Sequence, residues 1–165
     1  MPRIELNVAQ VATLPCTHSE TIPVSYLDEM GHMNVRWYTH LFSSGSTGFM
    51  QLIDLGWEKI AKQHGGTFIL ESHTRFLSEV RVGQTVHMHA RLIGRSTKRY
   101  HLLQFMVNED KQDISAVNEA VVAHIDLRMR RQASMPVDAS RKLDEFLAEH
   151  QKLNWDPPVC GVIKA

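Results

Sequence analysis

Residues 34–53 read NVRWYTHLFSSGSTGFMQLI. Tyr38, Leu41, Phe42, Gly45, Phe49, Leu52 and Ile53 recur at helical spacing and give one apolar stripe, which predicts a helix. Asn34 stands at its head as an N-cap, because its side-chain oxygen can accept an amide of the first turn. The helical zone is expected to run from about 34 to about 64. Within it lies SSGSTG (43–48). Ser and Gly are poor helix formers, and Gly costs up to about 1 kcal/mol relative to Ala. A run that weakens the helix by itself must be held by packing, and small side chains fit a helix pressed close against another surface.

Past Gly65 and Gly66 the hydrophobic period switches from helical spacing to two. TFILESHTRFL, TVHMHARLIG, YHLLQFMVN and ISAVNEAVVAHIDLRMR read as long strands, joined by hairpin-length turns around 81–84, GRSTKR and EDKQD. Ahead of the helix, 17–27 reads as a short extended segment in which Pro23 marks an edge or an irregular start. Residues 1–16 are a weakly patterned lead-in, and DASRKLDEFLAEH (138–150) is a terminal helix. One long helix with a curled, mostly antiparallel sheet of about five strands makes an α+β domain. We expect a single domain over 1–165, with its core at about 18–130 and a C-terminal helix and tail at about 138–165.

Composition narrows the partners. The chain has 165 residues, enough for one domain that buries roughly 70% of its unfolded surface. Lys+Arg and Asp+Glu both number 18, so no net charge points to nucleic acid or to an anionic membrane. Cys16 and Cys160 are far apart and form no CxxC, which reads as two free thiols rather than a disulfide framework or a zinc site. MPRIELNVAQ lacks the apolar run of a signal peptide and no stretch approaches membrane-spanning length, so the expected location is the cytoplasm.

Few residues announce chemistry. GxSxG, GxGxxG, P-loop and HEXXH motifs are all absent. His87 and His89 share a strand face at a spacing a metal could use, but no further ligand accompanies them, and no metal is expected. In the last strand, alternation puts Glu119 with Val117, Val121 and Ala123 on the apolar face expected to pack on the helix. Such a carboxylate either lies near the strand end and reaches water, or belongs to a site. The cations Arg95, Lys98 and Arg99 form either a solvated turn or a dock for phosphates. DEMGHMN (28–34) places an acid just before a helix start. Asp28 is then either a turn residue or the carboxylate of an acyl-transfer site, where free helix amides stabilise an oxyanion.

The surrounding stretch VSYLDEMGHMNVRWYTHLF resembles the entry motif of the hotdog-fold acyl-CoA thioesterases of the 4-hydroxybenzoyl-CoA thioesterase-like group. That motif runs D-x-x-G-H-x-N-x-x-x-Y, and Asp28, Gly31, His32, Asn34 and Tyr38 fall on it in register. The resemblance implies that Asp28 is the catalytic acid, as nucleophile or as base on water. It places Gly31 and His32 where backbone amides polarise the thioester carbonyl, and Asn34 where a polar residue orients substrate or water. It also implies that the hairpin carrying Arg95, Lys98 and Arg99 meets the phosphates of coenzyme A. Two positions depart from the pattern: Tyr26 stands where many relatives carry a second acid, and Val35 where many carry a second Asn.

ILESHTRFL, KRYHLL and NEAVVAHID are further similar to thioesterase regions associated with carnitine and betaine metabolism. That narrower resemblance implies a quaternary ammonium acyl group, held by the aromatic faces of Trp37 and Tyr38 with Glu119 as counter-charge. The expectation is therefore a cytoplasmic thioesterase that hydrolyses a small acyl-CoA without metal or redox cofactor, as a homodimer or homotetramer. Its rivals are a non-catalytic acyl-CoA-binding module and a hydratase on the same fold.

Overall fold

The computed structural model describes residues 6–165. Part of the lead-in reading rests on residues 1–5, outside that range. The elements are α1 (Val8–Val11), β1 (Cys16–Thr21), a 3-10 turn (Val24–Tyr26), α2 (Val35–Leu52), α3 (Trp57–Gln63), β2 (Gly65–Phe76), β3 (Thr85–Arg95), β4 (Arg99–Asn108), β5 (Asp113–Asp126), β6 (Arg131–Gln132) and α4 (Val137–His150). The sheet order is β1-β3-β4-β5-β2, with β6 paired to β5. β1 runs antiparallel to β3, from Cys16 opposite His89 to Thr21 opposite Thr85, with one irregularity between Cys16 and His18. The α+β expectation and the strand order along the chain hold.

Three expectations are corrected. The helical zone is broken in two. Asp54 takes a left-handed conformation (φ 61°) and ends α2. Its amide donates to Gln51 O at 3.2 Å while Leu55 N–H donates to Met50 O at 2.8 Å, the paired bonds that close a helix C-terminus. The last strand stops at Asp126 rather than running to residue 130. The Asp126 Oδ1 accepts the Arg128 and Met129 amides at 2.8 and 2.9 Å, which turns the chain back into β6. Finally, β5 does not alternate in burial, since Ile114 to Ile125 are all buried.

The chain divides into two compact units. The first takes the described residues up to Ser46, with Thr74–Ala90 and Gln104–Asn118; the second takes Thr47–His73, Arg91–Leu103 and Glu119–Ala165. Helix α2 and strands β2 to β5 each pass from one unit into the other along the chain.

In the first unit, Tyr38, Leu41 and Phe42 of α2 pack with Ile22, Tyr26, Met33, Val80, Val86, Met88, Met106 and Ala116. The small residues explain the closeness. A Cβ on Gly45 would lie 2.7 Å from Gln104 Nε2 and 3.1 Å from Met88 Cβ. Gln104 cannot easily yield, because its Nε2 donates to Phe42 O at 3.1 Å and its Oε1 accepts from Ser46 Oγ at 3.3 Å. In the second unit, Phe49 is fully buried, with its ring centroid 5.9 Å from that of Tyr100 and 5.5 Å from that of Phe146 on α4. Helix α4 and the tail after it are fastened through Arg91, which donates to His150 O at 3.2 Å and Trp155 O at 2.9 Å. The Arg91 guanidinium also lies 4.0 Å from the Trp155 ring centroid.

Candidate active site

The stretch 27–34 folds as a closed loop leading into α2. Leu27 and Met33 form an isolated antiparallel bridge, and Asp28 N–H donates to His32 O at 2.9 Å. Met33 N–H is held by Val80 O at 2.8 Å and Asn34 N–H by Tyr26 O at 2.9 Å. Gly31 has φ 79°, and a Cβ there would meet nothing within 4 Å, so conformation rather than space calls for glycine. Asn34 does cap the helix: its Oδ1 accepts Arg36 N–H at 3.1 Å.

The Asp28 carboxylate sits inside this loop. Its Oδ1 accepts Met30 N–H at 2.9 Å and His32 N–H at 3.2 Å. Gly31 N–H donates to Asp28 O at 3.1 Å. The amides of Gly31 and His32, expected to polarise a carbonyl, are therefore both engaged within the loop: that of Gly31 closes the turn on the Asp28 backbone carbonyl, and that of His32, with Met30, orients the Asp28 carboxylate.

The His32 side chain has a partner that sequence reasoning missed. Its Nε2 lies 2.8 Å from the Glu79 carboxylate, which also binds Arg81 at 2.7 Å. Glu79 belongs to the turn between β2 and β3, and nothing in the local pattern there distinguishes it from a solvated turn acid.

Trp37 and Tyr38 do not present open aromatic faces. Tyr26 stacks on Trp37 at 3.7 Å and 8°, the Arg36 guanidinium lies 5.1 Å from the Trp37 ring centroid, and His40 meets that ring edge-on at 5.5 Å. Tyr38 is buried with Phe76 edge-on at 5.1 Å. Both lie on α2, where Tyr38 belongs to the core and partly buried Trp37 packs against it. Among the described residues, the buried Trp37 Nε1 has no hydrogen-bond partner. Tyr26 hydrogen-bonds Glu20. Burial first, and then Glu20, pushes the Tyr26 hydroxyl up to about 12. Burial also pushes the Glu20 carboxyl up, but hydrogen bonds from Tyr26 and His18 overcome this and hold it below its ordinary value.

The remaining candidates belong to the second unit. Arg95 makes a two-pronged pair with Asp144 at 2.6 and 2.5 Å. Arg99 Nε donates to Gln132 at 2.9 Å, while Lys98 is exposed. Of the three expected phosphate contacts, two are thus committed within the chain. Glu119 is 2% exposed, so the reading in which it reaches water is overturned. The face assigned to it also needs correcting. Asn118 accepts from Thr74 at 2.8 Å and lies 3.5 Å from Gln104, whose Nε2 bonds α2 at Phe42 O. Glu119, one residue on, points the opposite way. There His101 Nε2 lies 2.8 Å from Oε1, and Cys160 N–H donates to Oε2 at 2.6 Å. The inner polar residues of β4 and β5, His101, Gln104, Asn108, Ser115, Asn118 and His124, are buried as well, because both faces of these strands are covered.

A family model described as the thioesterase-like superfamily matches residues 22–149. The L-carnitine dehydrogenase/betainyl-CoA thioesterase of Agrobacterium fabrum is 28% identical over 134 residues, 81% of this chain and 27% of that protein. The chain thus spans about a quarter of the length of the first curated relatives it matches. The betainyl-CoA thioesterase of Pseudomonas aeruginosa is 25% identical over 156 residues, 94% of this chain and 96% of that one. Among solved structures, a hypothetical protein of Staphylococcus aureus in complex with CoA aligns with TM-score 0.81 at 24% identity, over 92% of this chain and 96% of that one. A likeness of that kind shows the fold, and it bears out the hotdog expectation. No helix among the described residues is long and apolar enough to cross a membrane.

Proposed function

The chain belongs to the thioesterase-like superfamily, and from that we propose that it hydrolyses a small acyl-CoA thioester to the free acid and CoA. The observation that carries this reading is the placement of Asp28. Its Oδ1 is held by the Met30 and His32 amides on a loop that Asn34 joins to the start of an 18-residue helix. With one oxygen fixed, Oδ2 acts on the substrate. As a base, it takes a proton from water. The hydroxide adds to the thioester carbon, the C–S bond breaks, and the thiolate leaves to be protonated. As a nucleophile, it forms a mixed anhydride that water then opens, with the same products. The positive end of α2 stabilises the oxyanion in either route. This chemistry draws on no metal or redox group.

Betainyl-CoA is the acyl-CoA to test first, since two similar proteins carry that activity in their names. Trp37 and Glu119 are both already engaged within the chain, so a cation site for betaine has to recruit other groups or a second copy. Of the hairpin cations, exposed Lys98 is the proposed contact for a CoA phosphate. We further propose that the chain acts as one hotdog domain, in the cytoplasm and as a homo-oligomer.

A panel of acyl-CoAs that includes betainyl-CoA, followed for thiol release, tests the proposal. Release from at least one ester is expected. One observation favours a second reading: the Gly31 and His32 amides are engaged within the loop, as in a turn that only shapes a binding surface. Tight CoA-ester binding with no release across the panel would establish that non-catalytic module. Hydration of an enoyl-CoA without cleavage would establish a hydratase.

A further inference from the structure

The second unit holds a cluster of side chains that the thioester chemistry does not use. Glu119 lies on β5, flanked in the sheet order by β4 and β2. His101 of β4 lies 2.8 Å from Glu119 Oε1, and His73 belongs to β2. The C-terminal tail closes over the same carboxylate, with Cys160 N–H on Oε2 at 2.6 Å. One ligand atom each from His73, Glu119 and Cys160 lies within 4.8 Å of the others.

We propose that His73, Glu119 and Cys160 bind one zinc ion, with His101 positioning the carboxylate. Three arguments converge. Thiolate, imidazole and carboxylate are the donor types zinc takes, and three protein ligands leave its fourth position for water or a ligand. Charge also balances. A thiolate and a carboxylate carry two negative charges that a dication neutralises, in a place where Glu119 is 2% exposed. The carboxylate is held in advance as well, since an ionised carboxylate has about four lone-pair sites and can accept from His101 and Cys160 N–H while still binding a metal. Metal–ligand bonds of about 2.0–2.3 Å separate tetrahedral ligand atoms by about 3.3–3.8 Å. From separations within 4.8 Å, the cluster therefore has to tighten by no more than about 1.5 Å. Cys160 lies in a stretch without helix or strand, and half-buried His73 and Cys160 leave an entry path.

The ion would tie the tail to two strands, beyond the anchorage that Arg91 and Trp155 already give it. No sequence spacing announces such a site, because its ligands come from two strands and a terminal segment far apart in the chain.

The test uses the full chain, stripped with a chelator and then equilibrated with zinc alone or cobalt(II) alone. The expected result is one tightly held metal per chain and a thiolate-to-cobalt charge-transfer band. Zinc should raise the melting temperature of the wild type and not that of Cys160→Ser. His73→Ala should lose the tight binding, and Cys16→Ser should keep both metal and band. His101→Asn should weaken zinc binding by about 10- to 100-fold. Three results would overturn the site: no metal retained by the wild type, a cobalt spectrum without a thiolate band, or zinc held as tightly by Cys160→Ser as by the wild type. His73 and Cys160 are only half-buried, so their variants report binding rather than loss of the fold.

Discussion

His32 donates its backbone amide to Oδ1 of Asp28 at 3.2 Å while its ring turns away to Glu79 at 2.8 Å. Backbone and side chain of one residue thus serve different ends. The amide orients the acid, and the ring joins a half-exposed cluster with Glu79 and Arg81. Alanine keeps the amide and removes the ring. The account therefore expects His32→Ala to retain thiol release to within about tenfold, equivalent to about 1.4 kcal/mol. Stability should fall by no more than about 1 kcal/mol, as for an exposed ion pair. Steady-state kinetics and urea melts check both.

At Gly45, α2 packs tightly within the first unit. A side chain there meets Gln104 Nε2 at 2.7 Å, and Gln104 is itself pinned to Phe42 O and Ser46. Gly45→Val is expected to destabilise the protein by about 1–3 kcal/mol through overpacking, although glycine is the poorer helix former. Chemical denaturation of the variant gives the number directly.

Stability should fall on mild acidification. Burial, and then the charge of Arg91, pushes the His150 imidazole below its ordinary value of 6.5, and its Nδ1 accepts Leu92 N–H at 2.8 Å. Burial likewise lowers His89, with His87 adding to it. A histidine of depressed pKa binds its proton more readily in the unfolded chain. Stability is therefore fully present above about pH 6.5 and is lost as pH falls from there toward the folded-state values. Melting temperatures across that range should slope downward toward acid, and His150→Gln should flatten the slope.

Strand β2 ends the sheet order and exposes Phe68, Ile69 and Leu70 in succession. A long apolar edge invites pairing with another strand, and a second copy of this chain is the proposed occupant. Ile69→Lys is expected to shift the protein toward monomer in sedimentation velocity. A wild type that sediments as a monomer would contradict the proposed homo-oligomer.

Much of this was legible in the sequence because periodicity and turn chemistry are local. The α2 stripe, the Asn34 cap, the hairpins and α4 all follow from neighbours within a few residues. What stayed hidden depends on what covers a strand. Alternation along β5 sorted Glu119 and Asn118 into two faces, but the strand is buried on both, so polarity gave the wrong face to the helix. His101 in YHLLQFMV and Glu119 in VNEAVV were the available signal, since each is a polar residue inside an apolar strand. Their pairing comes only from strand order, and that of His32 with Glu79 from two loops joined where Met33 N–H donates to Val80 O. The motif at Asp28 located the loop correctly, yet it did not reveal that the loop's own amides hold the acid.

The most direct measurement is the rate of thiol release by Asp28→Asn, on whichever acyl-CoA the wild type cleaves. Asparagine keeps an acceptor oxygen for the Met30 and His32 amides, so the loop should stay closed, and unchanged CoA-ester binding would confirm it. The account predicts a rate at least about 100-fold lower, the scale of a lost general base. Release at the wild-type rate would contradict it.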